Sequence, residues 1–180
     1  MVYYNSYYVD GCENKKISHF FMRVILAYSD AFSFIYFRYN EKEKLSRRAS
    51  LIKKRLSPFE LDSRDVTEWP GTKILNERNH IYRMVTYRVD FDVLPILEKV
   101  NTLWDWDYPK FPMDPCFYKK GYAWFVVTTH EHCNVLYMRE DADFPIVDDL
   151  ESLGVSLIPE KKVSASELFY NSYYSCDNGK

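Results

Sequence analysis

Cys116-Phe117-Tyr118-Lys119-Lys120-Gly121-Tyr122-Ala123-Trp124-Phe125-Val126-Val127-Thr128 is the stretch that decides the fold. Two runs of aromatic and β-branched residues, 116–118 and 122–128, flank a short polar Lys-Lys-Gly. Such runs fit a pleated, half-buried surface. The glycine supplies the positive φ of a tight hairpin turn. A hairpin fixes the pairing as antiparallel, and Val135–Arg139 extends the pattern with a third strand.

Upstream, the same signals recur. Residues 31–38 (AFSFIYFR) and 80–89 (HIYRMVTYRV) read as strands. Neither face of 80–89 is cleanly polar, which predicts a strand with one end covered on both sides. Pro70-Gly71 suits the centre of a type II turn, with Thr72–Leu75 starting a strand and Asn76–Asn79 turning into the next. Helical spacing fills the gaps. Phe20, Phe21, Val24, Ile25 and Tyr28 share a face behind a cap at Ser18. Leu45, Ala49, Ile52 and Leu56 share another over 41–56, stopped by Ser57-Pro58. Val93, Leu97, Val100 and Trp104 line a third helix capped by Asp92, and Pro145 to Gly154 bound a fourth. Val155–Ile158 reads as a last strand, and 105–115, with Pro109, Pro112 and Pro115, as a loop.

These elements predict an α+β fold. It is a single domain with a largely antiparallel sheet of about five to six strands and three to four helices mainly on one face. The expected organisation is an N-terminal arm over 1–17, irregular or forming a short edge strand, the α+β domain over 18–158 and a C-terminal tail over 159–180. Tyr4-Asn5-Ser6-Tyr7-Tyr8 recurs as Tyr170-Asn171-Ser172-Tyr173-Tyr174, a match too short for a structural repeat. The expected core is Phe21, Val24, Ile25, Phe34, Tyr36, Ile52, Leu56, Val85, Leu97, Trp104, Trp124, Val126 and Leu136.

Composition narrows the function. The 180 residues carry a net charge of −2, so the chain as a whole has no strong pull on nucleic acid or anionic lipid. Charge is segregated: 41–55 holds seven basic groups against two acidic, and 139–151 six acidic against one basic. Arg47, Arg48, Lys53, Lys54 and Arg55 read first as a solvated helix face, and a nucleic-acid partner is not expected. With only five glycines there is no glycine-rich phosphate loop, and no cofactor is expected. None of the four cysteines forms a C-x-x-C pair. No secretory signal or apolar membrane span is legible, so the reading is a reduced, cytoplasmic protein without a membrane partner.

All four tryptophans lie between 69 and 124, in a region dense in proline and acids. Such a cluster is either the core's keystone or a contact surface. Trp104-Asp105-Trp106-Asp107-Tyr108 alternates rings and carboxylates, a pattern suited to a basic protein face. His130-Glu131-His132 closes a strand. His130 and His132 fall at i, i+2 spacing and would hold a metal only with help from Asp114 or His80. They read first as polar turn residues, and no metal is expected. Cys116 would be a nucleophile only with a base such as His130 nearby, and a small buried hydrophobe is the plainer reading.

Ser29-Asp30-x-Phe32, Trp69-Pro70-Gly71-Thr72, Trp104 with Pro109 and Pro112, and Trp124 with His130-Glu131 stand in a familiar order over residues 18–150. This order resembles a family of small bacterial proteins of unknown role, many of them named stage III sporulation protein AH. The resemblance implies a compact cytosolic domain and no particular activity. The family pattern has Pro-Glu-Asp-Leu before the Cys-Phe step. Here Pro112-Met113-Asp114-Pro115 lacks one acid and adds a proline, which weakens an acid–base role for the loop.

The expected function is therefore non-enzymatic binding. The concrete form is an immunity-type protein that neutralises a toxin, with a nuclease domain as the expected target. Its contact surface would comprise Trp106, Asp107, Tyr108, Asp141, Asp143, Asp148 and Asp149. The alternatives are a small hydrolase-like enzyme using His130 and Glu131 with Cys116, and a phage- or defence-system regulator that acts by binding.

Overall fold

The computed structural model describes residues 2–75, 79–140 and 146–171. It contains ten strands: β1 (Tyr3–Asp10), β2 (Ala31–Arg38), β3 (Glu60–Asp65), β4 (Glu68–Trp69), β5 (Thr72–Lys73), β6 (Ile81–Arg88), β7 (Met113–Lys119), β8 (Tyr122–Thr128), β9 (Cys133–Arg139) and β10 (Ser156–Ser164). The helices are α1 (Lys15–Tyr28), α2 (Arg47–Leu56), α3 (Leu94–Leu97) and α4 (Ile146–Ser152). Eight strands form one antiparallel sheet in the order β10-β1-β9-β8-β7-β2-β6-β3, and β4–β5 is a separate two-stranded hairpin. The α+β architecture and the predominantly antiparallel sheet are as the sequence predicts. The sheet is larger than predicted, with eight strands in place of about five or six.

The additional strands come from segments whose side chains do not advertise a sheet. Residues 1–17 do not form a loose arm: β1 is inserted between β9 and β10. Its Ser6 is buried and bonds both ways with the Lys161 backbone, so a polar residue fills a sheet position through hydrogen bonds rather than apolar contact. β10 crosses the boundary expected at 158/159, and its pairing with β1 shifts register between Asn5 and Tyr7. β3 has the wholly polar-looking sequence ELDSRD and sits at the sheet's edge, where one side faces solvent. Smaller shifts occur elsewhere. α1 starts at a cap on Asn14 instead of Ser18, and α2 at Ser46, which accepts from the Ala49 N–H. The third helix is a single turn entered through a cap on Asp90.

Alternation along β2 sorts the two faces. Phe32, Phe34 and Tyr36 point to the helices and join Phe21, Ile25, Ile52, Leu56, Val85, Leu97, Trp106, Phe125 and Leu136 in the main core. Ala31 and Ile35 point the other way. That second face carries no helix from the main core and is covered by the β4–β5 hairpin and by Phe169 of a C-terminal strap, 165–171. β6 is accordingly covered on both faces, with Tyr82 and Met84 on one and Val85 and Tyr87 on the other. Of the expected core, Val24 and Trp104 are only partly buried, and Val126 lies in the second-face cluster. The strap is held by Asn171, buried among β6, β3 and the β7–β8 turn. Its Nδ2 donates to Thr86, its Oδ1 accepts from Arg64, and its N–H donates to the Gly121 carbonyl. The expected free tail therefore begins, within the described residues, as a tied-down cover.

Pro70-Gly71 makes the predicted turn, with Gly71 at φ +81. A Cβ there would stand 2.5 Å from Thr128 Oγ1 and 3.1 Å from Val126 Cγ1. Gly71→Ala combines a clash with left-handed strain and is expected to cost about 1–3 kcal/mol. Urea denaturation checks it, and an unchanged midpoint would show that the hairpin does not sit tightly on β8.

Burial also sets the alkaline limit of the fold. The hydroxyls of Tyr36 and Tyr87 bond to each other at 2.8 Å in the core, and Tyr118 bonds Ser33 at 2.8 Å on the second face. Desolvation raises the pKa of all three, and that of the Cys116 thiol. The folded state keeps these protons while an unfolded chain releases them near pH 8.5–10. Their stabilising contribution is thus complete below about pH 8 and falls as pH rises, by up to about 1.4 kcal/mol per unit for each group. Urea midpoints should drop steeply between about pH 9 and 11. A flat profile would contradict the burial.

Candidate functional site

The Trp69-Pro70-Gly71-Thr72 motif is anchored by one carboxylate. In β7 the pairing with β2 shifts register between Ser33 and Ile35, and Asp114 in this bulge has φ +51. The bulge turns Asp114 into the second face, where it is 1% exposed. Its Oδ2 accepts from Trp69 Nε1 at 2.8 Å. Its Oδ1 accepts from both the N–H and the hydroxyl of Thr129, each at 2.8 Å. Three donors from two distant segments meet on one residue. Trp69 itself is buried and lies against Tyr82, with ring centroids 5.0 Å apart. This end of the tryptophan region is a structural clasp, and Asp114 has both oxygens committed.

The residues considered for chemistry are dispersed. Cys116 is buried beneath the second face, and desolvation holds its thiol well above the usual range. His130 and Glu131 lie exposed on a one-turn helix at Thr129–Glu131, with 3.8 Å between imidazole and carboxylate. His132 stacks on Trp104, with centroids 5.1 Å apart and planes at 12°. His19 Nε2 lies 2.7 Å from the Val100 carbonyl. His80 packs among rings at the other end of β6. No group of three or more His, Cys, Asp or Glu among the described residues is placed to hold a metal. An alkylating reagent should modify Cys133, which is half-buried, and leave Cys116 and Cys12 intact in the native state. Cys12 is shielded in the same way, its pKa pushed up to about 12 by burial first and by Glu13 and Asp10 after it. Mass spectrometry of the labelled chain reads the result. Rapid native labelling of Cys116 would contradict its placement.

The expected contact residues separate into three situations. Trp106 is a correction: it is fully buried, its ring 4.6 Å from Phe34 and 5.4 Å from Phe111, and it cannot touch a partner. It roots the loop that displays the next two residues. Asp107 is half-exposed and folds the loop on itself, its side chain accepting from the Tyr108 N–H and its carbonyl from the Phe111 N–H. Tyr108 is half-exposed, edge-on to Phe37 at 4.7 Å and to Tyr39 at 5.7 Å. Asp148 and Asp149 are exposed in the first turn of α4. Asp141 and Asp143 lie outside the described residues.

The loop and the acidic helix do not form one patch. α4 contacts β10, whereas Tyr108 contacts β2. These strands are five places apart in the sheet, roughly 24 Å at 4.8 Å per strand. What surrounds Tyr108 was missed at the sequence level. Phe37 and Tyr39 meet it edge to face at 4.7 and 5.7 Å, and His80 packs edge to face on Phe37 and Tyr39 in turn, at 5.3 and 5.2 Å. Tyr39 is half-exposed to solvent, and Glu43 accepts from both the Tyr108 hydroxyl at 3.2 Å and the Tyr39 N–H. The available signal was the run of rings at Tyr36-Phe37-Arg38-Tyr39, which continues past the strand's last core position. The basic helix is partly spoken for. Arg48 lies over Phe111 at 5.7 Å and Lys53 over Tyr36 at 5.5 Å.

No helix among the described residues is long and apolar enough to cross a membrane. Comparison with family models, with curated proteins and with solved structures gives no match.

Proposed function

We propose that this chain is a non-enzymatic binding protein of the immunity type, acting in the cytoplasm to hold a toxin domain in an inactive complex. One observation carries the reading. A cluster of partly exposed rings, Tyr39, Phe37, His80 and Tyr108, packs edge to face at one end of the sheet, beside a loop rooted in the core by Trp106. Tyrosine presents large contact area with few torsions to freeze, and rings already locked against each other lose little entropy on binding. Glu41, Glu43 and Asp107 stand beside the cluster, interleaved with Lys42 and Lys44, and these carboxylates would pair with basic groups on a partner face such as a nuclease's substrate cleft. Asp148 and Asp149, some distance away on α4, contribute to charge-steered encounter rather than to the same contact.

The burial of Cys116 away from the exposed His130–Glu131 pair supports binding over the hydrolase alternative, because nucleophilic catalysis needs the thiol and its base within hydrogen-bond reach of each other and of substrate.

The test is functional. The product of the gene directly upstream is expressed in a bacterial host with and without this chain. Growth arrest relieved by the wild-type chain, but not by a Tyr39→Ala/Tyr108→Ala variant, is the expected result. Arrest that the wild-type chain does not relieve, or that the variant relieves equally well, goes against the proposal.

A further inference from the structure

At the end of the sheet opposite the ring cluster, β8 and β9 part. They pair from Thr128↔Cys133 to Phe125↔Leu136, and no further pairs continue towards Tyr122 and Arg139. The cause is a bulge. β8 pairs with β7 through Phe125↔Phe117 and then Ala123↔Tyr118, so Trp124 is an extra residue in the strand. β9 meanwhile stays with β1 as far as Arg139↔Tyr4. The strap takes up β8's released backbone: the Ala123 N–H donates to the Phe169 carbonyl, and Tyr122 bridges Tyr170.

The wedge between the strands encloses a cavity of about 390 Å³. Tyr122 and Trp124 wall one side, Tyr4 and Tyr137 the other, and Tyr28 of α1 reaches in from the helix face. Trp124 is fixed in orientation, its Nε1 donating to Ser29 Oγ at 2.9 Å, and Ser29 Oγ in turn donating to the Ile25 carbonyl at 2.6 Å. Three cations, Lys119, Lys120 and Arg139, stand among the lining residues, and no Asp or Glu does among the described residues. Asp30 partly offsets Lys119 at 3.4 Å without lining the cavity, whereas the Lys120 ammonium has no ion pair among the described residues.

We propose that this wedge binds a small molecule with a flat ring body and one anionic head group. The rings of the walls offer stacking and edge contacts to a planar body. The lysines at the β7–β8 turn, Lys120 above all, supply the charge for a phosphate or a carboxylate. A concave, ring-lined space of this size with a few polar groups at one side is the usual form of a small-ligand site. The strand bulge that opens it costs sheet hydrogen bonds, which the strap restores on the β8 side.

The test uses the full chain and calorimetric titration with four probes: adenosine monophosphate, indole-3-acetate, and the neutral counterparts adenosine and indole. Saturable binding of at least one anionic probe is expected, with its neutral counterpart at least about tenfold weaker. The anionic probe that binds identifies the head group as phosphate or carboxylate. Lys120→Glu should weaken binding by about tenfold with an unchanged circular dichroism spectrum, and Tyr122→Ala should weaken charged and neutral probes alike. Equal binding of charged and neutral probes, unchanged affinity in Lys120→Glu, or no saturation of any probe by about 1 mM would overturn the assignment. Lys120 lies at the far end of the strands from Tyr108, so loss of this site leaves the toxin-rescue experiment unaffected.

Discussion

Asp114→Ala should destabilise the protein by about 4 kcal/mol, a large share of the 5–15 kcal/mol that holds a domain of this kind together. The substitution strands three donors, the indole N–H of Trp69 and the N–H and hydroxyl of Thr129, in a place closed to solvent. Each buried donor left without an acceptor costs about 1–3 kcal/mol, and the three share one acceptor, so their costs do not simply add. Alanine also inherits the positive φ, which asparagine tolerates better. Asp114→Asn therefore separates the two causes. It keeps the backbone comfortable but sets an amide N–H₂ against one of the donors, and should lose about 2 kcal/mol. Urea denaturation followed by circular dichroism measures both. If the two variants are equally and only slightly destabilised, the carboxylate is not the clasp between the β4–β5 hairpin, β7 and the β8–β9 turn.

The second large effect separates the root of the 105–112 loop from its tip. Trp106→Ala removes a fully buried indole from between Phe34 and Phe111 and should cost about 3–5 kcal/mol through lost burial and the cavity left behind. The indole Nε1 makes no hydrogen bond among the described residues, so Trp106→Phe should retain much of that stability. Tyr108→Ala, two residues on, removes a half-exposed ring and should cost about 1 kcal/mol. Equilibrium unfolding of the three variants gives the order. If Trp106→Ala were as mild as Tyr108→Ala, the loop that carries Tyr108 would not be anchored in the core.

Much of the architecture was legible because apolar spacing records burial. The strand pair around Lys119–Gly121, the alternating run 31–38 and the helix face through Phe21 and Ile25 needed only the periods of strand and helix. The inner place of β1, where the sequence offers at most a short edge strand, and β3 altogether were illegible for the same reason. YYNSYYVD fills its sheet positions partly through Ser6 bonding to backbone, and ELDSRD lies at an edge where polar residues keep off unwanted partners. Trp106 misled because a ring flanked by acids in a proline-rich loop has the composition of a contact surface. Only the tertiary fold shows that its side chain turns inward while Tyr108 turns out. Phe37 and His80 escaped notice because each lies in a different segment, and nothing local says that the ends of β2 and β6 bring them to the same ring cluster. The wedge at Trp124 was hidden more deeply, since a one-residue bulge leaves the apolar pattern of 122–128 intact.

Whether the ring cluster is an adhesive surface is most directly settled by calorimetry with the purified product of the gene directly upstream. Wild-type chain and the Tyr39→Ala/Tyr108→Ala variant, matched for fold by circular dichroism, would be titrated against it. A tight complex with the wild-type chain, weakened at least about hundredfold by the variant, is the predicted result. A complex of undiminished affinity in the variant would contradict it, as would the absence of any complex with the wild-type chain.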